Sequence, residues 1–501
     1  MNETSEGNRN VRTRRTPIPK FQVGIVLLIQ FAEPVTALVI YPFVIQFVRD
    51  TGITGGEETK TGFYAGMLES VFFLAECLTV FSWGRLSDIY GRRPVLLLGP
   101  LGLGLSMLGF GLSKKFWFLF VFRCIQGICN GNIGLYSIGL RVSKTVINEI
   151  SDSTNIADIF SIMPLMWAVG VTIAPFIGGV FSNPAAKWPE TLGKLQIFRT
   201  HIYLLPCLIA GSVAFLSFAL ALVGLNEVGI MVQHVLGIYC VSQTLPSIIG
   251  PRRGSPPTDA DPLLPAPPQE TQEAPLPVRD LLTRPVLIAM ANHGLLYFCN
   301  MSNDSLIPLF FSTPISLGGL GLKPYDIGLI MGLCGFCNAI IQLLLGGRLI
   351  RRSGPRRMFI LGICAIFAAF AMYPLLSFLA QRAGRVDSAV VVVLACQLSC
   401  SFLVYFAYSS MMIFVMDAAP TPASLGSVNG LSGTVGTLFR SLAPSFASSL
   451  FAFSAEHQIL DGNMVYFVLM VITLAALRCA LLLPRTLRLE SKAQARLEGD
   501  T

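Results

Sequence analysis

Apolar residues run in blocks of about twenty along most of this chain, and polar and charged residues are pushed into short segments between them. Twelve such blocks can be marked, at roughly 21–47, 62–83, 93–113, 116–139, 160–181, 201–224, 285–311, 326–346, 358–380, 389–415, 424–452 and 463–484. Each is near or above the ~20 residues that a helix needs to cross hydrocarbon, where every backbone N–H and C=O must be bonded inside the segment. Ten-residue stretches of period-two alternation, the mark of a membrane β-barrel, are absent. The pattern predicts an all-α membrane protein of twelve transmembrane helices.

The blocks fall into two sets of six. Residues 84–93 read GRLSDIYGRR at a basic turn between two blocks, and 263 residues later Gly347 to Arg357 read GRLIRRSGPRR at another. A basic turn duplicated at half-chain distance is expected of two parallel, pseudo-symmetric halves. The predicted organisation is a tail at 1–20, a six-helix half at 21–224, a linker at 225–284, a second six-helix half at 285–484 and a tail at 485–501. Pro251 to Pro277 is rich in Pro, Gly, Ser and acidic residues and cannot bury a core. One stretch interrupts the pattern: removal of Val228 to Gln243 leaves a continuous polar exit, LNE-TLPS, from the sixth block. Those 16 residues begin with Val and end with Gln, as the in-frame reading of a retained intron would. An interfacial helix is the alternative.

Composition sharpens the picture. The chain is 501 residues long, 53% hydrophobic and 13% charged, whereas soluble domains carry about 25% charged residues. A large soluble enzyme is thereby excluded. With the N-terminus inside, the segments on that side hold 23 Lys and Arg residues against 10 on the other, so both termini are expected in the cytoplasm. This asymmetry accounts for most of the net charge of +8, and no nucleic-acid partner is implied. The plasma membrane and the vacuolar membrane both stay open. The four histidines stand at no ligand spacing, and no phosphate-binding G-x-x-x-x-G-K-[ST] string occurs, so no metal, nucleotide or other cofactor is expected.

Several side chains stand out chemically. Gly84, Asp88, Gly91, Arg92 and Arg93 form the first basic turn; Asp88 can bond its own arginines and the N-terminal dipole of a facing helix, latching one conformation. The second copy has Arg351 in place of that Asp. Glu33 lies mid-block beside Pro34, and Glu69 and Glu76, seven residues apart, share a face of the second block. Intramembrane carboxylates are costly and usually face the bundle interior or a water-filled cavity, where burial favours the neutral acid. Arg123, inside the fourth block, needs a carboxylate, a carbonyl or water, with Glu33, Glu69 and Glu76 as candidate partners. In the second half Asn303, Asp304, Asn338, Gln342 and Arg440 are polar groups in apolar surroundings and candidates for lining a cavity. Gly170, Pro175, Gly178 and Gly179 give the fifth block a small face for close helix crossing, with a kink at Pro175.

Together these strings resemble the major facilitator superfamily. Gly84-x-x-x-Asp88-x-x-Gly91-Arg92-Arg93 matches that family's motif A, Arg123-x-x-Gln126-Gly127 resembles its R-x-x-Q-G signature, and Gly170-x-x-x-Ala174-Pro175-x-x-Gly178-Gly179 resembles its antiporter motif with Ala in place of one Gly. Residues 32–43, AEPVTALVIYPF, with the LNE…TLPS exit, are similar to a fungal branch near the plant zinc-induced facilitator-like carriers. The resemblance implies a monomeric, non-enzymatic carrier of the major facilitator fold. It implies export of small organic molecules or drugs in exchange for protons, with the arginine of span four tied to coupling and the proton as the only coupling ion. A proton-coupled nutrient symporter and a non-transporting membrane sensor with the same fold are the alternatives.

Overall fold

In the computed structural model of the chain the described residues are 20–90, 92–131, 156–224, 278–421 and 424–485, with the backbone alone at 20, 81, 84, 85, 87–89, 92, 156–165, 278 and 279. Residues 1–19, linker residues 225–277 (228–243 included), and the C-tail beyond 485 fall outside them, as do Gly91 and the side chains of Asp88 and Arg92. The expected Asp88 latch therefore lies outside the described residues.

Each apolar block carries a helix. The first half holds α1 (Lys20–Leu38), α2 (Val44–Asp50), α3 (Thr61–Tyr90), α4 (Arg92–Leu112), α5 (Phe116–Asn130), α6 (Ile156–Phe181) and α7 (Leu204–Gly224). The second holds α8 (Arg284–Ser312), α9 (Pro324–Ser353), α10 (Pro355–Ala383), α11 (Ser388–Asp417), α12 (Leu425–His457) and α13 (Met464–Ala480). Short helical turns occur in the connections, and no strand occurs among the described residues. Among the described residues, seven helices are long and apolar enough to cross a membrane by themselves. The long helices α8 and α12 are more polar, and their polar side chains point inward: Asn292, His293, Ser302, Asn303 and Ser305 on α8, and Ser432, Thr437, Arg440, Ser441 and Ser448 on α12, are all buried. Leucines such as Leu98, Leu343, Leu344 and Leu482 lie exposed on outer faces, where a bilayer is the solvent that suits them. The protein is an integral membrane protein.

The first block is not one continuous helix. The chain passes helically through Pro34 and opens later, at residues 39–43, around Pro42, which has no N–H to give. There the Tyr41 amide donates to Leu38 O and the Phe43 amide to Ile40 O, a tightened turn before α2.

The halves join along two helix pairs, α3 with α12 and α6 with α9, which the repeat relates to one another. Contact is tightest at the helix ends distant from the chain termini. A Cβ built at Gly179 of α6 would stand 2.7 Å from both Gly328 Cα and Pro324 O of α9. The Ser445 amide of α12 donates to Ser70 Oγ of α3 at 2.9 Å, and Arg49 Nη2 donates to Ser312 O at 3.2 Å while its Nε pairs with Glu58 at 2.7 Å. Towards the termini, a Cβ built at Gly426 of α12 or Gly346 of α9 meets no described atom of the first half within 4 Å.

The sequence repeat is also a structural one. Arg93, at the start of α4, donates from Nη2 to Leu222 O near the end of α7 at 2.6 Å. Arg356, 263 positions later at the start of α10, donates to Leu481 O at 2.9 Å and Leu483 O at 3.0 Å beyond the end of α13. Each half thus ties its third span to the carbonyl end of its sixth, where a cation also meets the negative end of the helix dipole.

Candidate functional site

The break at residues 39–43 frees carbonyls that a continuous helix would use. Because the Tyr41 amide turns to Leu38 O, Ala37 O is left to accept from Arg123 Nη2 at 3.5 Å. Arg123 Nε donates to Leu68 O at 3.4 Å, Nη1 donates to Gln126 Oε1 at 2.6 Å, and the guanidinium lies 4.5 Å over the Phe72 ring. Gln126 Nε2 in turn donates to Thr36 O at 3.2 Å. Arg123 is thus held by carbonyls, an amide and a ring, and pairs with none of the three glutamates that the sequence offered.

The glutamates go elsewhere. Asn130, one face with Arg123 and Gln126 on α5, donates from its single Nδ2 to Glu33 Oε1 at 3.2 Å and to Glu76 Oε2 at 3.1 Å. All three side chains are buried, and Asn130 Oδ1 has no hydrogen-bond partner among the described residues. Glu69, on the same face of α3 as Glu76, accepts instead from Ser305 Oγ of α8, a bond across the two halves. The two acids of α3 thus belong to different groupings, one inside the first half and one at its border.

A cavity opens between the halves. Glu33, Tyr41, Phe72, Phe73, Trp167 and Pro175 line it from the first half; Tyr297, Asp304, Tyr405, Tyr408 and Arg440 line it from the second. Its free space for water-sized molecules is about 110 Å³, small for an organic solute, in keeping with halves closed on one side. Asp304 accepts from Asn300 Nδ2 at 2.8 Å. Arg440 is 4% exposed, and its guanidinium lies 4.3 Å from the centre of the Phe73 ring, 5.9 Å from Trp167 and 6.0 Å from Tyr297. Among the described residues its Nε and the Tyr408 hydroxyl have no hydrogen-bond partner. Arg440 shares the cavity with two carboxylates, Glu33 of the first half and Asp304 of the second.

The remaining polar candidates sit apart from this space. Asn303 accepts from Tyr373 Oη at 3.2 Å inside the second half, Gln342 Nε2 donates to Ser409 Oγ at 3.3 Å, and Asn338 is buried on α9. Gly170 faces Pro34 and lets α6 press against α1, Gly178 faces Val39 O in the break that follows α1, and Gly179 serves the contact with α9. Pro175 lies within an unbroken run of α6 and lines the cavity. The sequence reading passed over Asn130, although its place seven residues after Arg123 was a readable sign.

A two-lobed helical bundle with a charged, aromatic cavity between its lobes is the architecture of a carrier, and comparison with known proteins agrees. The model of the Major Facilitator Superfamily matches residues 26–444. The chain belongs to the Major Facilitator Superfamily. This superfamily member is a membrane transporter and not an enzyme. It is 29% identical to the major facilitator-type transporter psiT2 of Psilocybe cyanescens, over 92% of this chain and 89% of that one. It is 27% identical to the multidrug transporter mfsB of Aspergillus fumigatus, over 86% and 78% of the two chains. It is likewise 27% identical to the zinc induced facilitator-like 1 protein of Arabidopsis thaliana, over 90% and 88%. The superfamily resemblance read from the motifs, with its fungal and plant branches, is thereby established.

Proposed function

We propose that the protein exports small organic molecules in exchange for protons, by rocking its halves between inward- and outward-open states. The observation that carries this reading is the cavity lined by a carboxylate from each half, Glu33 and Asp304, amid aromatic rings. Aromatic walls accept many flat apolar bodies, while a few polar groups fix orientation. The similarity to a multidrug transporter supports a broad solute range. With the excess of Lys and Arg on the terminal side, both tails are cytoplasmic and the sealed end faces outward, so the arrangement is open towards the cytoplasm. The working unit is a monomer in the plasma or vacuolar membrane. Each pH unit across that membrane supplies about 1.4 kcal/mol, or a tenfold solute ratio per proton.

The test is reconstitution into vesicles with an imposed pH gradient and a panel of amphipathic organic solutes. Solute should move against the proton flow, with solute-dependent proton flux that Glu33→Gln abolishes. Solute moving in the same direction as protons, or with no proton flux, would overturn the proposal.

A further inference from the structure

In the buried trio on α1, α3 and α5, one acceptor of Asn130 has no donor among the described residues. An asparagine side chain offers two N–H donors and a carbonyl acceptor, and an ionised carboxylate can only accept. Both donors of Asn130 are spent, one on Glu33 and one on Glu76, while its Oδ1 is left with no donor. Two carboxylates within reach of one nitrogen repel each other when both are charged. An unpaired buried acceptor is costly as well. One added hydrogen relieves both defects. A proton bonded to an oxygen of either glutamate makes an O–H that donates to Oδ1 once the amide turns, and Nδ2 continues to donate to the other, still ionised, carboxylate. Nothing is oxidised, and the proton comes from and returns to water.

We infer that Glu33, Asn130 and Glu76 form a single proton-binding site that holds one proton between two carboxylates. As a coupling site it rests on the proton-exchange reading above. Its place in the fold suits that task, because Glu33 lines the cavity while Glu76 lies behind it, fully buried. With one proton the site carries a single negative charge, and the cavity that Glu33 lines is lined from the other half by the cation Arg440 of α12. Along α3 the further acid is Glu69, taken up by Ser305; along α5 the further charge is Arg123, taken up by carbonyls; from α8 the cavity brings Asp304. Mid-α4 and the described side chains of α6 carry no acid or base. Loss or gain of the shared proton thus changes the charge that Arg440 sees across the interface. A protonation event within the first half then alters the attraction between the halves.

The experiment is infrared difference spectroscopy between acid and alkaline pH on the full-length protein in lipid discs, reading the carboxyl C=O band that only a protonated acid gives. Glu33→Gln and Glu76→Gln should each remove the same band, and the double substitution should remove no more. Asn130→Leu and the milder Asn130→Ser should move that band and shift its midpoint by about one pH unit or more, the equivalent of one charge-assisted hydrogen bond. Glu69→Gln should leave it in place. Separate bands lost one by one in the two glutamine variants would overturn the shared site. An unchanged band and midpoint in Asn130→Ser would overturn it as well. Since no solute or gradient is used, this result and the vesicle flux stand or fall separately.

Discussion

Ser305 of α8 donates its hydroxyl hydrogen to the carboxylate of Glu69 on α3, so a buried acid of one half is held by a side chain of the other. The bond exists only while the halves are closed at this depth. Ser305→Ala should therefore loosen that closure and leave the acid itself in place. Losing a bond of this kind costs about 1.5–3 kcal/mol, which moves the balance of open and closed forms by about tenfold or more. Distances between spin labels on the outer ends of α3 and α12 measure it, and an unchanged distribution would remove Ser305 from the closure.

Gly179 of α6 and Gly328 of α9 approach so closely that neither has room for a methyl group. Gly179→Ala should destabilise the closed form by about 1–3 kcal/mol, the usual cost of overpacking. Gly426→Ala, which meets no neighbour, should be neutral. Thermal melts in the same detergent compare the two.

Arg440 and Glu76 sit on opposite halves, on the packed helix pair α12 and α3. Removal of Arg440 charge should hurt most while Glu76 keeps its own. In a double-mutant cycle of Arg440→Gln with Glu76→Gln, the second change should repair part of the loss, with a coupling of about 0.5–3 kcal/mol. Additive losses in thermal unfolding would show that the two do not sense each other.

Arg356 gives two hydrogen bonds to the end of α13, and Arg93 gives one to the end of α7. Each exposed or half-buried bond to a helix end is worth about 0.3–1 kcal/mol. Arg356→Ala should thus lower the melting temperature more than Arg93→Ala, and equal effects would count against the unequal caps.

The apolar blocks made the helices legible, because hydrocarbon demands a long apolar run wherever the chain crosses. The repeat at Gly84 and Gly347 made the two halves legible, and its two arginines, Arg93 and Arg356, make matching bonds. The acids were legible as acids, yet their groupings were not. Glu69 and Glu76 share a helix face, and only the packing of α5 and α8 around α3 sends one to Asn130 and the other to Ser305. Arg123 looked like a partner for carboxylates because the sequence does not tell that the break before Pro42 exposes Ala37 O. The rings around Arg440 come from α3, α6 and α8, and no spacing along the chain announces such a meeting.

The matching arginine ties have a consequence for how the molecule is assembled. Each lobe buckles its own third span to its own sixth, so the covalent connection between lobes has no share in that fastening. Two polypeptides made separately, one ending after α7 and one beginning before α8, would each carry their own buckle and need only to find each other in the membrane.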